Sequence, residues 1–324
     1  MRALVCETHG GPNVLKVGTL PEPKAGPGQA VIRVAAAGLN FADTLMVAGT
    51  YQEKPAFPFA PGLEVAGTIE ALGEGVRGLK AGQRVLAVVG HGGFAELATA
   101  EASGVFVLPE QMDFVTAAGF MVTYGTAHGA LVWRAALKPG ETLVVHGAAG
   151  GVGLAAVEVG KALGARVIAT AGGADKLAVA RAHGADALID YKAEDLKARL
   201  KELAGPKGAE VHFDPVGGQA FEASLRAVAW EGRIVIVGFA GGGVPQIPAN
   251  ILLVKNASAL GFYWGSYRRH DPARLAAQFD ELFAWYVAGK LKPHVSHRLP
   301  LAEAAEGFRL LQERRATGKV VVEL

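Results

Sequence analysis

One cysteine, Cys6, stands in a chain of 324 residues. A lone thiol cannot build a disulfide framework, a four-cysteine zinc loop or any cysteine-rich metal site within one chain. Excess charge of either sign is missing too: 32 Lys and Arg face 30 Asp and Glu, a formal net charge of +2. No whole-molecule field draws in nucleic acid or an anionic membrane, so any anion site must be local. Nor is there an uninterrupted hydrophobic run. The most apolar window, 142–159, is about as long as a bilayer span, but His146, Gly147, Gly150, Gly151 and Gly153 break it and Glu158 falls near its end. It reads as a buried strand, a loop and a helix. Near the start, Glu7 and His9 occupy the place where a signal peptide carries its apolar core, so no secretion signal is expected and a cytoplasmic location fits the lone thiol.

Several catalytic signatures are absent as well. The sequence holds no H-E-x-x-H, no G-x-S-x-G and no phosphate loop ending in Gly-Lys-Ser/Thr, which removes support for metalloprotease, serine-hydrolase and kinase readings. Its 9 histidines are scattered, and the closest pair, His294 and His297, follows Pro293 in a loop and reads as a surface pair. No metal site is expected.

What remains is apolar and foldable. A hydrophobic fraction of 51% with 19% charged residues supports a large core, and the length suggests about two domains. Up to about residue 110, short β-rich runs at 30–36, 64–72, 84–89 and 94–99 are punctuated by Gly and Pro, and helical periodicity is nearly absent. Beyond about 113, apolar strands alternate with Ala-rich helical stretches, the pattern of βαβ units around a parallel sheet. Strands are expected at 142–146, 166–170, 187–189, 210–213, 233–237 and 258–263, with helices at 152–163, 174–183, 194–203 and 219–230. Gly164 and Gly184 stand where left-handed helix caps belong. Six strands in this order predict a doubly wound dinucleotide fold. A helix at 272–288, another at 301–314 and a strand at 319–323 exceed what that sheet needs and are expected to return to the first domain.

The run His146-Gly147-Ala148-Ala149-Gly150-Gly151-Val152-Gly153 follows a strand and opens a helix. In that setting Gly150 lets backbone N–H groups approach a pyrophosphate, Gly153 lets the helix pack on its strand, and the helix N-terminus stabilises the negative charge. Ala148 takes the place of the first glycine of G-x-G-x-x-G. Folds that prefer NAD carry an acid about 20 residues on, at the ribose 2′-hydroxyl. Here Thr170-Ala171-Gly172-Gly173 offers none, and Lys176 follows on the next helix, suited to a 2′-phosphate or to plain solvation, with Asp175 as a contrary charge.

The segments Ala37-Gly38-Leu39-Asn40-Phe41-Ala42-Asp43, Pro61-Gly62-Leu63-Glu64-Val65-Ala66-Gly67, Gly125-Thr126-Ala127 and the glycine run at 146–153 together resemble the zinc-free quinone oxidoreductases, the ζ-crystallin branch of the medium-chain dehydrogenase/reductase superfamily. The resemblance spans essentially the whole chain. It implies an α/β architecture: a GroES-like β-rich catalytic domain at 1–112, a Rossmann doubly wound six-stranded parallel sheet at 113–263 and a return segment at 264–324, with NADPH in the cleft. Zinc-dependent relatives carry Cys where Asn40 stands and Gly-His-Glu where Gly62-Leu63-Glu64 stand, so only Glu64 of that set survives.

Carried over residue by residue, the resemblance makes Asn40 and Thr126 nicotinamide-side residues and Ala149, Gly150, Gly151, Val152 and Gly153 the pyrophosphate turn. Gly172, Lys176 and Tyr191 become the adenosine-phosphate pocket, joined by Arg315, whose planar fork suits a phosphate; a solvated helix-end cation is its alternative. Gly238, Phe239 and Ala240 would border the nicotinamide. Asn40, Tyr51 and Thr126 are the implied catalytic set, Tyr51 lining the substrate pocket, while Leu45 replaces a second pocket tyrosine found in relatives. Asp43 belongs to the resembling segment and reads as a structural hydrogen-bond acceptor. Hydride transfer from NADPH to a quinone is the implied reaction; reduction of activated C=C bonds in enals or enones is the alternative. A non-catalytic NADPH-binding or RNA-binding role is a third, disfavoured by the lack of interleaved basic and aromatic residues. A homodimer is expected, since strand 258–263 would otherwise expose an apolar sheet edge.

Overall fold

The computed structural model describes residues 1–324. They gather into two compact units: Met1–Val122 with Arg268–Phe283 and Pro293–Leu324, and Thr123–Tyr267 with Ala284–Lys292. No helix is long and apolar enough to cross a membrane.

The first unit is β-rich. Arg2–Cys6 and Leu15–Thr19 form an antiparallel pair, and a seven-stranded sheet runs in the order Val295–Pro300, Lys319–Glu323, Gln29–Leu39, Glu64–Leu72, Arg84–Val88, Val105–Val107, with Leu97–Glu101 also pairing Gln29–Leu39. The last strand of the chain is thus interior, parallel to Val295–Pro300 and antiparallel to Gln29–Leu39. Backbones approach closely at Gly67, where a Cβ would stand 2.0 Å from the Arg33 carbonyl oxygen. The core joins Ile32, Leu39, Met46, Ile69 and Val85 to Phe94 and Phe308, and burial of each such side chain contributes about 1.5–3 kcal/mol. Phe94 and Phe308 meet edge to face with centroids 5.8 Å apart.

The second unit holds a six-stranded sheet, all parallel, in the order Ala187–Asp190, Arg166–Ala171, Thr142–Val145, Ala209–Asp214, Val228–Ile236, Ser258–Gly261. This is the 3-2-1-4-5-6 order of the doubly wound fold. Strands covered on both faces read as continuous apolar runs, and Leu143, Val144, Val145, Val167 and Ile168 are completely buried. Helices Gly151–Ala162, Ala174–Ala182, Leu196–Ala204 and Gln219–Ala227 link successive strands. Gly164 (φ +82°) and Gly184 (φ +103°) close two of them in the left-handed region.

Several elements depart from the sequence reading, among them Phe114–Ala118, Met121–His128 and Val295–Pro300, which it did not place. The helix expected to reach 230 stops at Ala227, and Val228 pairs with Ala209 instead; Val228 and Trp230 prefer an extended backbone. Helices Phe41–Val47 and Ala249–Lys255 were not expected. At seven residues each, they are too short to show a period.

Candidate active site

The C-terminal ends of the first and fourth strands of the parallel sheet are adjacent, and there the strand order reverses, the usual ligand position in such sheets. His146 leaves the first strand with its ring buried, Nδ1 3.0 Å from Thr170 Oγ1 and Nε2 2.8 Å from Ser224 Oγ. Burial holds its pKa below the ordinary imidazole range. The ring ties this strand end to the second strand and to the helix Gln219–Ala227. Gly147 then reverses the chain at φ +58°, taking the turn conformation that the usual fingerprint gives its first glycine; Ala148 is buried and donates its N–H to the Thr170 carbonyl. Gly150 precedes the helix as its cap, and a Cβ on Gly153 would lie 2.2 Å from the Gly147 carbonyl oxygen. Only glycine permits that approach. The N–H groups of Gly151, Val152 and Gly153 begin the helix, where an anion is stabilised. Ala149 packs inward against Ala171 and Leu177.

At the end of the second strand, a Cβ on Gly172 would stand 2.9 Å from the Tyr191 ring and hydroxyl and 3.0 Å from Lys192 Cε. Gly173 (φ +101°) caps the helix Ala174–Ala182, which carries half-buried Lys176 in its first turn. The N–H groups of Lys192 and Gly173 both donate to Asp190 Oδ1 at 3.0 Å and hold that carboxyl below its ordinary pKa. Gly172 and Tyr191 thus meet, and Lys192 joins them. Sequence reasoning missed Lys192, although its place beside Tyr191 was the available signal. Arg315 lies in the first unit, its guanidinium 3.0 Å from Glu313 and 3.6 Å from Glu306.

Gly238, Phe239 and Ala240 follow the fifth strand. Ala240 and Gly241 donate their N–H groups to the Pro215 and Val216 carbonyls, while Asp214 Oδ1 accepts from the N–H groups of Val216 and Gly217. The loops after the fourth and fifth strands are therefore laced together, with Phe239 exposed on them. Beneath, both ring nitrogens of His212 and Asp214 Oδ2 are buried without a hydrogen-bond partner. Burial pushes His212 down to about 3.

In the first unit Asn40 precedes the helix Phe41–Val47 and is buried. Its Nδ2 donates to Glu64 Oε1 at 2.9 Å and to the Gly38 carbonyl at 3.2 Å. Glu64 Oε2 accepts from the N–H of Val122. Lys319 completes the group, its ammonium donating to Asn40 Oδ1 and Glu64 Oε1. Asp43 accepts from the N–H groups of Asn40 and Gly62, and burial pushes its carboxyl up to about 7 against those bonds. Tyr51 packs half-buried on the first core. Thr126 belongs to the second unit, buried on the helix Met121–His128, where Gly125 gives way to the Trp264 indole: a Cβ there would stand 2.6 Å from the ring.

At the positions where zinc-dependent relatives carry Cys and Gly-His-Glu stand Asn40 and Gly62-Leu63-Glu64. Glu64 is engaged by Lys319, and no three His, Cys, Asp or Glu side chains converge anywhere.

Residues 26–110 match a family model described as an alcohol dehydrogenase GroES-like domain, and residues 151–281 one described as a zinc-binding dehydrogenase. A quinone oxidoreductase-like protein 2 homolog from Nematostella vectensis is 42% identical over 99% of this chain and 88% of its own length. The chain belongs to the medium-chain dehydrogenase/reductase superfamily. Within that superfamily, the human quinone oxidoreductase is 33% identical over 100% of this chain and 98% of its own. The crystal structure of Escherichia coli quinone oxidoreductase complexed with NADPH superposes with a TM-score of 0.94 at 31% identity, covering 100% of both chains. This superfamily member is an oxidoreductase.

Proposed function

We propose that this protein transfers hydride from NADPH to a quinone without a metal. The observation that carries the reading is the replacement of a metal donor set by the Asn40–Glu64–Lys319 hydrogen-bond network. With no Lewis acid to stabilise an alkoxide, the substrate must be electron-poor enough to accept hydride on hydrogen bonds alone, as quinones are. Bound NADPH supplies the hydride. The glycine turn fits its pyrophosphate, because Gly150 adds no side chain at the helix start, Gly153 lets the helix sit close on the turn, and the helix N-terminus presents N–H groups. Lys176, Lys192 and Tyr191 would receive the 2′-phosphate, with Arg315 a further cation for it. Asn40 and Thr126 would flank the nicotinamide, Gly238, Phe239 and Ala240 its border, and Tyr51 the acceptor. Hydride brings two electrons and one proton to the quinone, and a solvent proton completes the hydroquinone.

Leu45 favours a second reading. An apolar side chain in the place of a pocket tyrosine suits an enone or enal, which asks for fewer polar contacts. Steady-state kcat/KM with NADPH against 1,4-benzoquinone and 2-cyclohexenone separates the two. The reading expects the quinone to win; an enone preference, or no turnover of either, overturns it.

A further inference from the structure

Lys319 and Glu64 form an ion pair inside the first unit, 2.7 Å apart, with side chains 6% and 1% exposed. Glycines make room for it. A Cβ on Gly38 would stand 2.7 Å from Glu64 Oε1, and one on Gly119 would press on the Lys319 stem at 3.2 Å. All three donors of the ammonium are used: Nζ donates to Leu39 O at 2.8 Å, to Asn40 Oδ1 at 2.8 Å and to Glu64 Oε1 at 2.7 Å. Since Asn40 Nδ2 donates in turn to Glu64 Oε1 and Gly38 O, the amide can sit only one way round. Flipped, Nδ2 would face the ammonium, and Oδ1 would face a carboxylate and a carbonyl. A buried ion pair stabilises a core no better than apolar residues of similar volume, so stability does not account for it.

We infer that Lys319 is a positioning residue: paired with Glu64, it fixes the orientation of the Asn40 amide and thereby which polar atom Asn40 presents to the reacting ring. The inference rests on the nicotinamide-side reading of Asn40. Lys319 arrives from the last strand of the chain, 279 positions from Asn40, so closing the first sheet and orienting this amide are one event.

The test compares Lys319→Met, the double variant Lys319→Met/Glu64→Gln, and Asn40→Ala, by thermal unfolding and by steady-state kinetics with NADPH and 1,4-benzoquinone. Lys319→Met strands a buried carboxylate and should lower Tm; the double variant removes both charges and should recover most of it. Its kcat should stay about tenfold or more below wild type, the loss of one charge-assisted hydrogen bond, with the KM for NADPH within about twofold. Asn40→Ala should lose a similar factor, and adding the double substitution to it should cost nothing more. Wild-type kcat in the double variant beside an impaired Asn40→Ala overturns the positioning role alone; wild-type kcat in Asn40→Ala overturns the reading of Asn40 itself. The wild-type protein gives a readout that needs no variant to fold. Asparagine occurs only at 13, 40, 250 and 256, so selective 15N-Asn labelling yields few side-chain amide pairs. The Asn40 pair, donated to Glu64 and the Gly38 carbonyl, should be protected from hydrogen exchange and give two distinct proton resonances; rapid exchange or flip-averaging overturns the inference.

Discussion

Arg315 hydrogen-bonds Glu313, lies near Glu306, and keeps its side chain 59% exposed. A guanidinium shared with two acids has less to give a phosphate than a free one, yet a charge-assisted bond to the 2′-phosphate should still be worth about 1.5–3 kcal/mol. Replacing Arg315 by Ala should therefore raise the KM for NADPH about tenfold, toward the lower end of that range, and leave NADH unchanged. Lys176→Ala should act in the same direction but less. Equal loss for both cofactors, or for neither, would return Arg315 to a helix-end cation. His212 calls for a pH test. Its folded pKa of about 3 lies below the ordinary 6.5, so the unfolded chain takes the proton first. Stability is complete above about pH 6.5 and should fall by about 1.4 kcal/mol per pH unit below it, with His146 acting in the same sense. Because neither ring nitrogen of His212 has a partner, His212→Leu should keep Tm at pH 7.5 and flatten the decline toward pH 4, as scanning fluorimetry would read. A steep loss at pH 7.5 would mean that the imidazole is bonded. Residues of the glycine turn were legible because local backbone geometry demands them. Lys319 was not: its partner Glu64 lies 255 positions away, and nothing beside it in the chain marks it.

The strand–turn–helix unit at 142–162 separates two roles of glycine. A Cβ at Gly153 would strike the Gly147 carbonyl at 2.2 Å, whereas one at Gly150 would meet that oxygen at 3.4 Å, an ordinary contact. Gly153→Ala should therefore force helix and turn apart, at a cost of about 1–3 kcal/mol. Gly150→Ala should leave Tm nearly unchanged and weaken NADPH through the methyl at the pyrophosphate; calorimetric unfolding with NADPH titration reads both. A Gly150→Ala protein binding NADPH as wild type would remove the pyrophosphate from this turn. Elements of the parallel sheet were legible in the sequence because apolar strands and glycine caps recur in a fixed order. Phe41–Val47 was not, since what starts it is the Asp43 carboxylate accepting from the Asn40 N–H at 2.8 Å rather than a hydrophobic period. The β-domain strands were found approximately, but their pairing order, with the last strand beside Gln29–Leu39, is long-range and left no local trace.

At the scale of the whole molecule, Ser258–Gly261 ends the parallel sheet, and on the same unit Trp230, Val254 and Leu253 are 64%, 73% and 75% exposed. An unpaired edge with large apolar side chains invites a partner, and a second copy meeting edge to edge would satisfy it. Light scattering should give a dimer at micromolar concentration, and Leu253→Glu should shift it toward monomer; a monomeric wild type would refute this assembly. Hydride transfer without a metal is tested by one assay: NADPH oxidation with 1,4-benzoquinone under anaerobic conditions, before and after exhaustive chelation. One NADPH should be consumed per quinone reduced, with the same kcat after chelation. A rate abolished by the chelator and restored by added zinc, or no quinone-dependent oxidation at all, would contradict it.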